Sequence, residues 1–474
     1  MNEQNLMGYF KDPPTTGYVR NALDAMRHRD NKIQEILEQR KLPEEGWDDD
    51  VIEYIVRELS QMDTNRFPFG SGAGEREGRM YSNVVARRHF GFAHGIGRSG
   101  DLSEAQPKAI GATILSDITN RMLRDLVRLA GLRKAKKCMM VPMATGMTLM
   151  FTMLHFQRTR KLPEDPKIVL WSRIDQKSCF KSMTSGGFHP LIIDTIRRGD
   201  LLCTDVEAFR REIESLGANN ILCIMSTTSC FAPRGCDDII ALAKLAQEHG
   251  IPHLVNNAYG LQSSLCTHQI EQAVRLGGRV DYVVQSTDKN LMVPVGGSIV
   301  VAFEEGKIEK LAKTYPGRAS ISQTIDVFIT LLSMGQQGFM KLLQQQKECF
   351  AKLVEIFQQI AKECGEKVLE TQAGNRISLT LTLTTFTQND RATEVGYRLY
   401  RAGITGARVV PKGETKTIEG YTFENWGGHT STASNAPYIT AAAAIGCEPH
   451  EIQRLFRKLK SILVEIRKEI SLIP

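Results

Sequence analysis

Between residues 138 and 303 the chain alternates short apolar runs with stretches of helical periodicity, and this alternation restricts the possible folds more than any other feature. The strand-like runs are 138–143, 168–171, 191–194, 221–225, 253–255, 282–284 and 299–303. Helix-like runs lie at 146–158, 178–185, 205–216, 237–249 and 268–276. Apolar strands separated by helices predict an α/β fold, a mostly parallel seven-stranded sheet with helices on both faces. Such a sheet collects chemistry at the carboxyl ends of its strands, so the residues just after each run are the ones to read.

The flanks differ in character. Residues 18–41 read as a basic helix broken by Pro43 and Gly46, and a second amphipathic helix follows Asp48. From 64 to 108 the chain is rich in glycine and arginine, a composition suited to backbone and guanidinium contacts with an anion. A long helical stretch, 321–363, leads to a strand at 377–385, a helix at 391–402, a strand at 421–426, an alanine-rich segment at 437–444 and a closing helix at 449–470. At 474 residues the chain is too long for one core. The expected division is a helical N-terminal extension (1–65), a catalytic unit (66–330), and a connecting helix with a small α+β C-terminal domain (331–474).

The ten cysteines show no Cys-x-x-Cys spacing and the ten histidines no ligand-spaced pair, so free thiols and no metal are expected. Residues 1–11 are polar, unlike a signal peptide, and no apolar run reaches the ~18 residues of a membrane span. These features predict a cytoplasmic protein with no membrane association.

Lys289 follows the run 282–284 within Gln285-Ser286-Thr287-Asp288-Lys289-Asn290, and reads as a lysine in a polar turn at a strand end. Enzymes that use pyridoxal phosphate keep their Schiff-base lysine in such a position, and a buried lysine gives up part of its proton affinity. A solvated turn lysine is the plain alternative, so the partners upstream decide. Ala144-Thr145-Gly146 joins a strand to a helix and suits a phosphate cradle. Gln176 follows the next strand and suits a ring stack. Asn256 and Asn257 end a later strand, either one a partner for the pyridine nitrogen. Read alone, each is also a helix start or a capped turn; read in this order, they point to a pyridoxal-phosphate enzyme of fold type I.

Longer strings carry a resemblance. They are Gly74-Glu75-Arg76-Glu77-Gly78-Arg79, His94-Gly95-Ile96-Gly97-Arg98-Ser99-Gly100-Asp101, Asp175-Gln176-Lys177-Ser178-Cys179-Phe180-Lys181-Ser182, Ser226-Thr227-Thr228-Ser229-Cys230-Phe231-Ala232-Pro233-Arg234 and Tyr315-Pro316-Gly317-Arg318-Ala319-Ser320. Through them the chain resembles the O-phosphoseryl-tRNA(Sec):selenocysteinyl-tRNA synthase family over residues 18–469. The resemblance implies a homotetramer that uses pyridoxal phosphate and selenophosphate to convert phosphoserine on tRNA(Sec) to selenocysteine. It implies Lys289 as the catalytic lysine and Arg76 as a cofactor contact. It gives Arg98, Ser99, Gln106 and Arg318 to the substrate phosphate, Glu75 to the rejection of free amino acids, and Arg275, Arg401 and Lys468 to tRNA. Asn31, Gln34 and Gln39 depart from the basic or ionisable residues common there in relatives. The alternatives are another pyridoxal-phosphate enzyme, such as a cysteine desulfurase or phosphoseryl-tRNA:Cys-tRNA synthase, and a tRNA-binding protein without catalysis.

Overall fold

Strands buried on both faces must be apolar throughout, and the middle of the chain supplies them. The computed structural model describes residues 6–9, 12–160, 167–386 and 389–471. Its main sheet contains β1 (Lys137–Val141), β2 (Ile168–Ser172) and β3 (His189–Ile193). After a hairpin of β4 (Thr195–Arg198) and β5 (Leu201–Thr204) come β6 (Ile221–Thr227), β7 (His253–Asn256), β8 (Tyr282–Ser286) and β9 (Ser298–Ala302). The order across the sheet is β1-β9-β8-β7-β6-β2-β3. Neighbours from β8 to β3 are parallel, and β9 runs against both β8 and β1. Every residue of β2, β6, β8 and β9 is buried. The expected seven strands and their mostly parallel sense are borne out; the β4–β5 hairpin had no counterpart in the sequence reading.

A 20-residue helix, Ile110–Leu129, is present that the sequence expectations do not include. Leu115, Ile118, Met122 and Leu126 recur on its buried face. It packs against the helix Asp49–Gln61, which buries Ile52, Ile55, Val56 and Leu59. Gly111 permits the crossing, since a Cβ there would stand 1.7 Å from the Leu59 carbonyl oxygen. The helix expected over 18–41 runs Pro13–Gln39, starting earlier because Asp12 caps the Thr15 N–H at 3.0 Å and Pro13 and Pro14 open its first turn.

The long helix Ser322–Cys364 is broken at Gly335, where φ is 57° and ψ −171°. The chain at 43–47 enters the break. Gln336 N donates to Pro43 O at 2.9 Å, Gln337 N to Glu44 O at 3.0 Å, and Trp47 N to Leu332 O at 2.9 Å. A Cβ at Gly335 would lie 2.6 Å from the Glu45 carbonyl carbon. Gly335→Ala is therefore expected to cost at least ~1–3 kcal/mol from backbone strain alone. A denaturation midpoint equal to wild type would refute this.

The last third forms a separate sheet with its own core. β10 (Ser378–Thr382), β14 (Tyr438–Ala442) and β11 (Arg408–Val410) are antiparallel in the order β10-β14-β11. The helices Asn389–Arg401 and Pro449–Ser471 and the second half of the long helix cover it. The alanine-rich segment thus becomes β14. The expected strand at 421–426 is shorter, a hairpin of β12 (Lys416–Ile418) and β13 (Tyr421–Phe423).

Candidate functional site

The ends of β1, β2, β6, β7 and β8 open on one cavity of about 400 Å³. β1 leads to Ala144, the N-cap of the helix Thr145–Thr159, which has no side-chain cap. Thr145 and Gly146 line the cavity. Thr145 Oγ1 is buried with no partner among the described residues, and the first N–H groups of a helix have no partner within it. Gly146 keeps the backbone close to the next helix; a Cβ there would stand 3.2 Å from Ser178 O. The cavity wall also takes Gln176, whose Oε1 accepts from Cys179 N at 2.7 Å and so caps the helix Lys177–Thr184.

Asn256 and Asn257 separate here. Asn256 lines the cavity, and its Nδ2 donates to Cys179 Sγ at 3.4 Å. Asn257 faces away: its Nδ2 donates to Gln285 Oε1 at 2.9 Å and its Oδ1 accepts from Thr228 Oγ1. Successive strand residues point to opposite faces, so only one of the pair can face a ligand.

Lys289 sits in a single helical turn, Thr287–Leu291, rather than in the open turn expected. Asn290 holds this turn by donating to Ala258 O at 2.9 Å and Ser286 O at 2.7 Å. Gln262 Nε2 donates to Lys289 O at 3.3 Å. The Lys289 amine has no carboxylate partner among the described residues and lies 5.9 Å from the centre of the Tyr259 ring. Its side chain is exposed, not buried as the sequence suggested, because it opens onto the cavity mouth.

Four further residues on the cavity wall escaped the sequence reading as ligand contacts: Ser229, Ser378, Arg408 and His429. Three of them stand 89 or more positions from Lys289 with no motif around them. His429 is fixed by Asp175. Asp175 N donates to His429 Nδ1 at 2.8 Å, while Asp175 Oδ2 accepts from Gly427 N at 2.8 Å and His429 N at 2.7 Å. Arg173 pairs with Asp175 at 2.9 Å and donates to Glu424 O at 2.7 Å. Burial raises the Asp175 pKa above its ordinary value, against the pull of Arg173. Cys179 and Cys230 also line the cavity, but burial pushes both thiols up to about 11, which leaves them protonated and poor nucleophiles.

The arginine loops form a different surface. Arg76 and Arg318 line an open hollow with His94, and no residue between 66 and 108 lines the Lys289 cavity. Ile96 and Ala319 exchange two backbone hydrogen bonds of 3.0 Å, which fixes the Arg98 and Arg318 loops side by side. Gly95 is required there, since a Cβ would stand 2.2 Å from Ala319 O. Arg98 is exposed, 3.8 Å from Glu104; Ser99 has a positive φ of 47°; Gln106 is buried and donates to Gly97 O at 3.1 Å. Glu75 is exposed. Within one chain, then, Arg76 and Arg318 line a hollow other than the Lys289 cavity.

Arg401 and Lys468 are exposed near the ends of two adjacent helices, which Arg398 joins by pairing with Glu469 at 2.7 Å. Arg275 is exposed at the end of the helix Ser264–Arg275 and pairs with Glu271 at 2.8 Å. Among the described residues no helix is long and apolar enough to cross a membrane.

Residues 62–464 match the family model described as O-phosphoseryl-tRNA(Sec) selenium transferase, SepSecS. The chain belongs to that family. It is 42% identical over 463 residues to the O-phosphoseryl-tRNA(Sec) selenium transferase of Dictyostelium discoideum, covering 94% of this chain and 96% of that one. It is also similar to the crystal structure of an archaeal O-phosphoseryl-tRNA(Sec) selenium transferase, with 31% identity and a TM-score of 0.84 over 95% of this chain and 99% of that one. A SepCysS–SepCysE N-terminal domain complex is 12% identical with a TM-score of 0.52, covering 82% of this chain and 93% of that one, and shares the fold alone. The fold is that of pyridoxal-phosphate enzymes of fold type I, and family membership favours selenium transfer over the sulfur-transfer alternatives.

Proposed function

We propose that this chain converts O-phosphoseryl-tRNA(Sec) to selenocysteinyl-tRNA(Sec), taking selenium from selenophosphate and using pyridoxal phosphate held at Lys289. One observation carries the reading: Lys289, Thr145, Gln176 and Asn256, from four separate strand ends, line one cavity in a chain of this family. The residues fit the cofactor. The unpartnered Thr145 Oγ1 and the free N–H groups behind it, with Ala144 and Gly146 keeping the turn small, suit its phosphate. Gln176 would cover a ring face of the bound cofactor and Asn256 would meet its pyridine nitrogen, while Asn257 beside it is held by Gln285. Asn256 carries no charge, so it would orient that nitrogen without forcing a proton onto it.

Bound pyridoxal phosphate supplies an electron sink that makes the proton on the substrate's α-carbon acidic. The Lys289 amine takes that proton. Arg98, Ser99, Gln106 and Arg318 hold the substrate's phosphate and stabilise the charge it gains as it leaves the β-carbon. Glu75 repels free amino acids, whose α-carboxylate keeps the charge that the tRNA ester lacks. Arg76 contacts the cofactor. Because the arginine loops do not line their own chain's cavity, they serve a neighbouring copy, which supports sites shared between subunits; the count of four, a homotetramer, rests on the family resemblance alone. Phe69 and Tyr81, 95% and 105% exposed beside these loops, are apolar surface for such a neighbour. The division into 1–65, 66–330 and 331–474 and a cytoplasmic location belong to the same proposal.

Incubation with phosphoseryl-tRNA and selenophosphate, followed by mass spectrometry of the esterified amino acid, is expected to give selenocysteine. Unchanged phosphoserine would overturn the reading. Arg275, Arg401 and Lys468 are assigned to tRNA phosphates. Combining Arg401→Ala with Lys468→Ala is expected to lower tRNA affinity and to flatten the slope of log affinity against log salt by ~2, leaving cofactor absorbance as in wild type. Wild-type affinity in the double variant would move the tRNA surface elsewhere.

A further inference from the structure

Four side chains of the Lys289 cavity have an unused donor in common. His429 is 2% exposed, and its Nδ1 accepts from Asp175 N, so the ring proton lies on Nε2. Burial, with the charges of Arg234, Arg408 and Arg173, pushes the imidazole pKa well below its ordinary value, so the ring is neutral and Nε2–H is a donor. Ser378 Oγ accepts from Ala232 N at 2.8 Å and Ser229 Oγ accepts from Tyr259 N at 3.1 Å. Neither hydroxyl proton has an acceptor among the described residues. Arg408 has no carboxylate partner among them, and its guanidinium carbon stands 5.6 Å from the centre of the Phe231 ring.

The register of the small sheet makes these groups converge. Ser378 in β10 faces Ala442, and Arg408 in β11 faces Thr440, two positions along the same central strand. Both therefore project from one face of the sheet. That face is fastened to the loop 229–232, since Thr440 Oγ1 donates to Ala232 O at 2.9 Å while Ala232 N donates to Ser378. On the other side, a Cβ at Gly427 would stand 4.0 Å from Arg408 Nη2, which brings the His429 loop to the same guanidinium.

We propose that Arg408, His429, Ser378 and Ser229 form an oxyanion subsite that holds the phosphoryl group of the selenium donor beside Lys289. The inference rests on the proposed reaction. A carbonyl oxygen offers two lone pairs and cannot use all of these donors; a tetrahedral phosphoryl group, with three oxygens and a negative charge, can. The reaction involves three phosphoryl groups. The cofactor's is met by the helix start at Thr145, and the substrate's by Arg98 and Arg318. The donor's is the one left without residues.

Thiophosphate is the probe, as a stable analogue of selenophosphate, titrated by calorimetry into the full-length holoprotein. Arg408→Met is expected to weaken its binding by about 10–100-fold, the value of a charge-assisted hydrogen bond. Ser378→Ala should weaken it several-fold and Arg408→Lys should fall between, and these two milder variants carry the test if Arg408→Met melts early. In turnover, KM for selenophosphate should rise by the same factor as the thiophosphate constant, and by more than KM for phosphoseryl-tRNA. Thiophosphate binding at wild-type strength in Arg408→Met and Ser378→Ala overturns the subsite. Equal rises in the two KM values would hand it to the substrate's phosphate and overturn the donor assignment. If the wild type makes no selenocysteine while Arg408→Met still loses thiophosphate, the proposed reaction falls and the oxyanion subsite stands.

Discussion

Lys289→Ala is expected to lose the absorbance band near the visible edge and to lower turnover by at least ~10⁴-fold, the upper range for removing a positioned proton-transfer group. On the proposed reading the substitution also removes the amine that carries the cofactor, so the two losses should appear together. The fold should survive. The Lys289 turn is held by Asn290 and by Gln262 through backbone atoms, and the amine itself has no ion pair among the described residues. The wild-type band should vanish on borohydride treatment, and the variant should show no band to lose. Wild-type turnover in Lys289→Ala without added amines would remove the lysine from the mechanism.

Arg98→Ala and Arg318→Ala are each expected to lower kcat/KM for phosphoseryl-tRNA by about 10–100-fold, because a hydrogen bond to a charged group contributes ~1.5–3 kcal/mol. The Ile96–Ala319 backbone pair holds both loops without help from either guanidinium, so truncation should spare the fold. Arg98 has only a loose contact of 3.8 Å with Glu104, and a surface pair of that kind contributes ~0–1 kcal/mol. Losses beyond that range report the substrate. The wild type should also discriminate against seryl-tRNA, which offers these residues no anion. Equal rates with seryl- and phosphoseryl-tRNA would remove the phosphate pocket from the account.

What the sequence displayed and what it hid follow physical lines. The strands β2, β6, β8 and β9 were legible because burial on both faces demands unbroken apolar runs. β14 was not, since Ala441 and Ala442 carry no β-branching and the strand is set by its partners β10 and β11. The break at Gly335 comes from residues 43–47 entering a helix nearly 300 positions away, which no local pattern encodes. The helix Ile110–Leu129 did carry a readable period, from Leu115 to Leu126, but lay against the glycine-rich stretch and was passed over. Lys289, Thr145, Gln176 and Asn256 were found because each follows a strand. Choosing Asn256 over Asn257 required knowing which face each side chain takes. Arg408 and His429 reach the cavity from the C-terminal sheet, and their approach depends on Ala232, Thr440 and Asp175, all remote in sequence.

The link between Asp175 and the loop 424–429 bears on how the cavity meets a substrate as bulky as tRNA. Arg173 and Asp175, both buried, grip Glu424, Gly427 and His429, and Thr195 Oγ1 donates to His429 O at 2.9 Å from the other side. Parting these loops would leave the Arg173–Asp175 pair together but strip it of its hydrogen bonds to the 424–429 backbone, each worth ~1.5–3 kcal/mol as a bond to a charged group. The wall bearing His429 is therefore a mould and not a jaw. Its shape is set when the chain folds, and the ordering of that wall is already complete before any ligand arrives. An aminoacylated tRNA end meets a finished pocket, and the precision of the fit depends on how the rest of the tRNA is held.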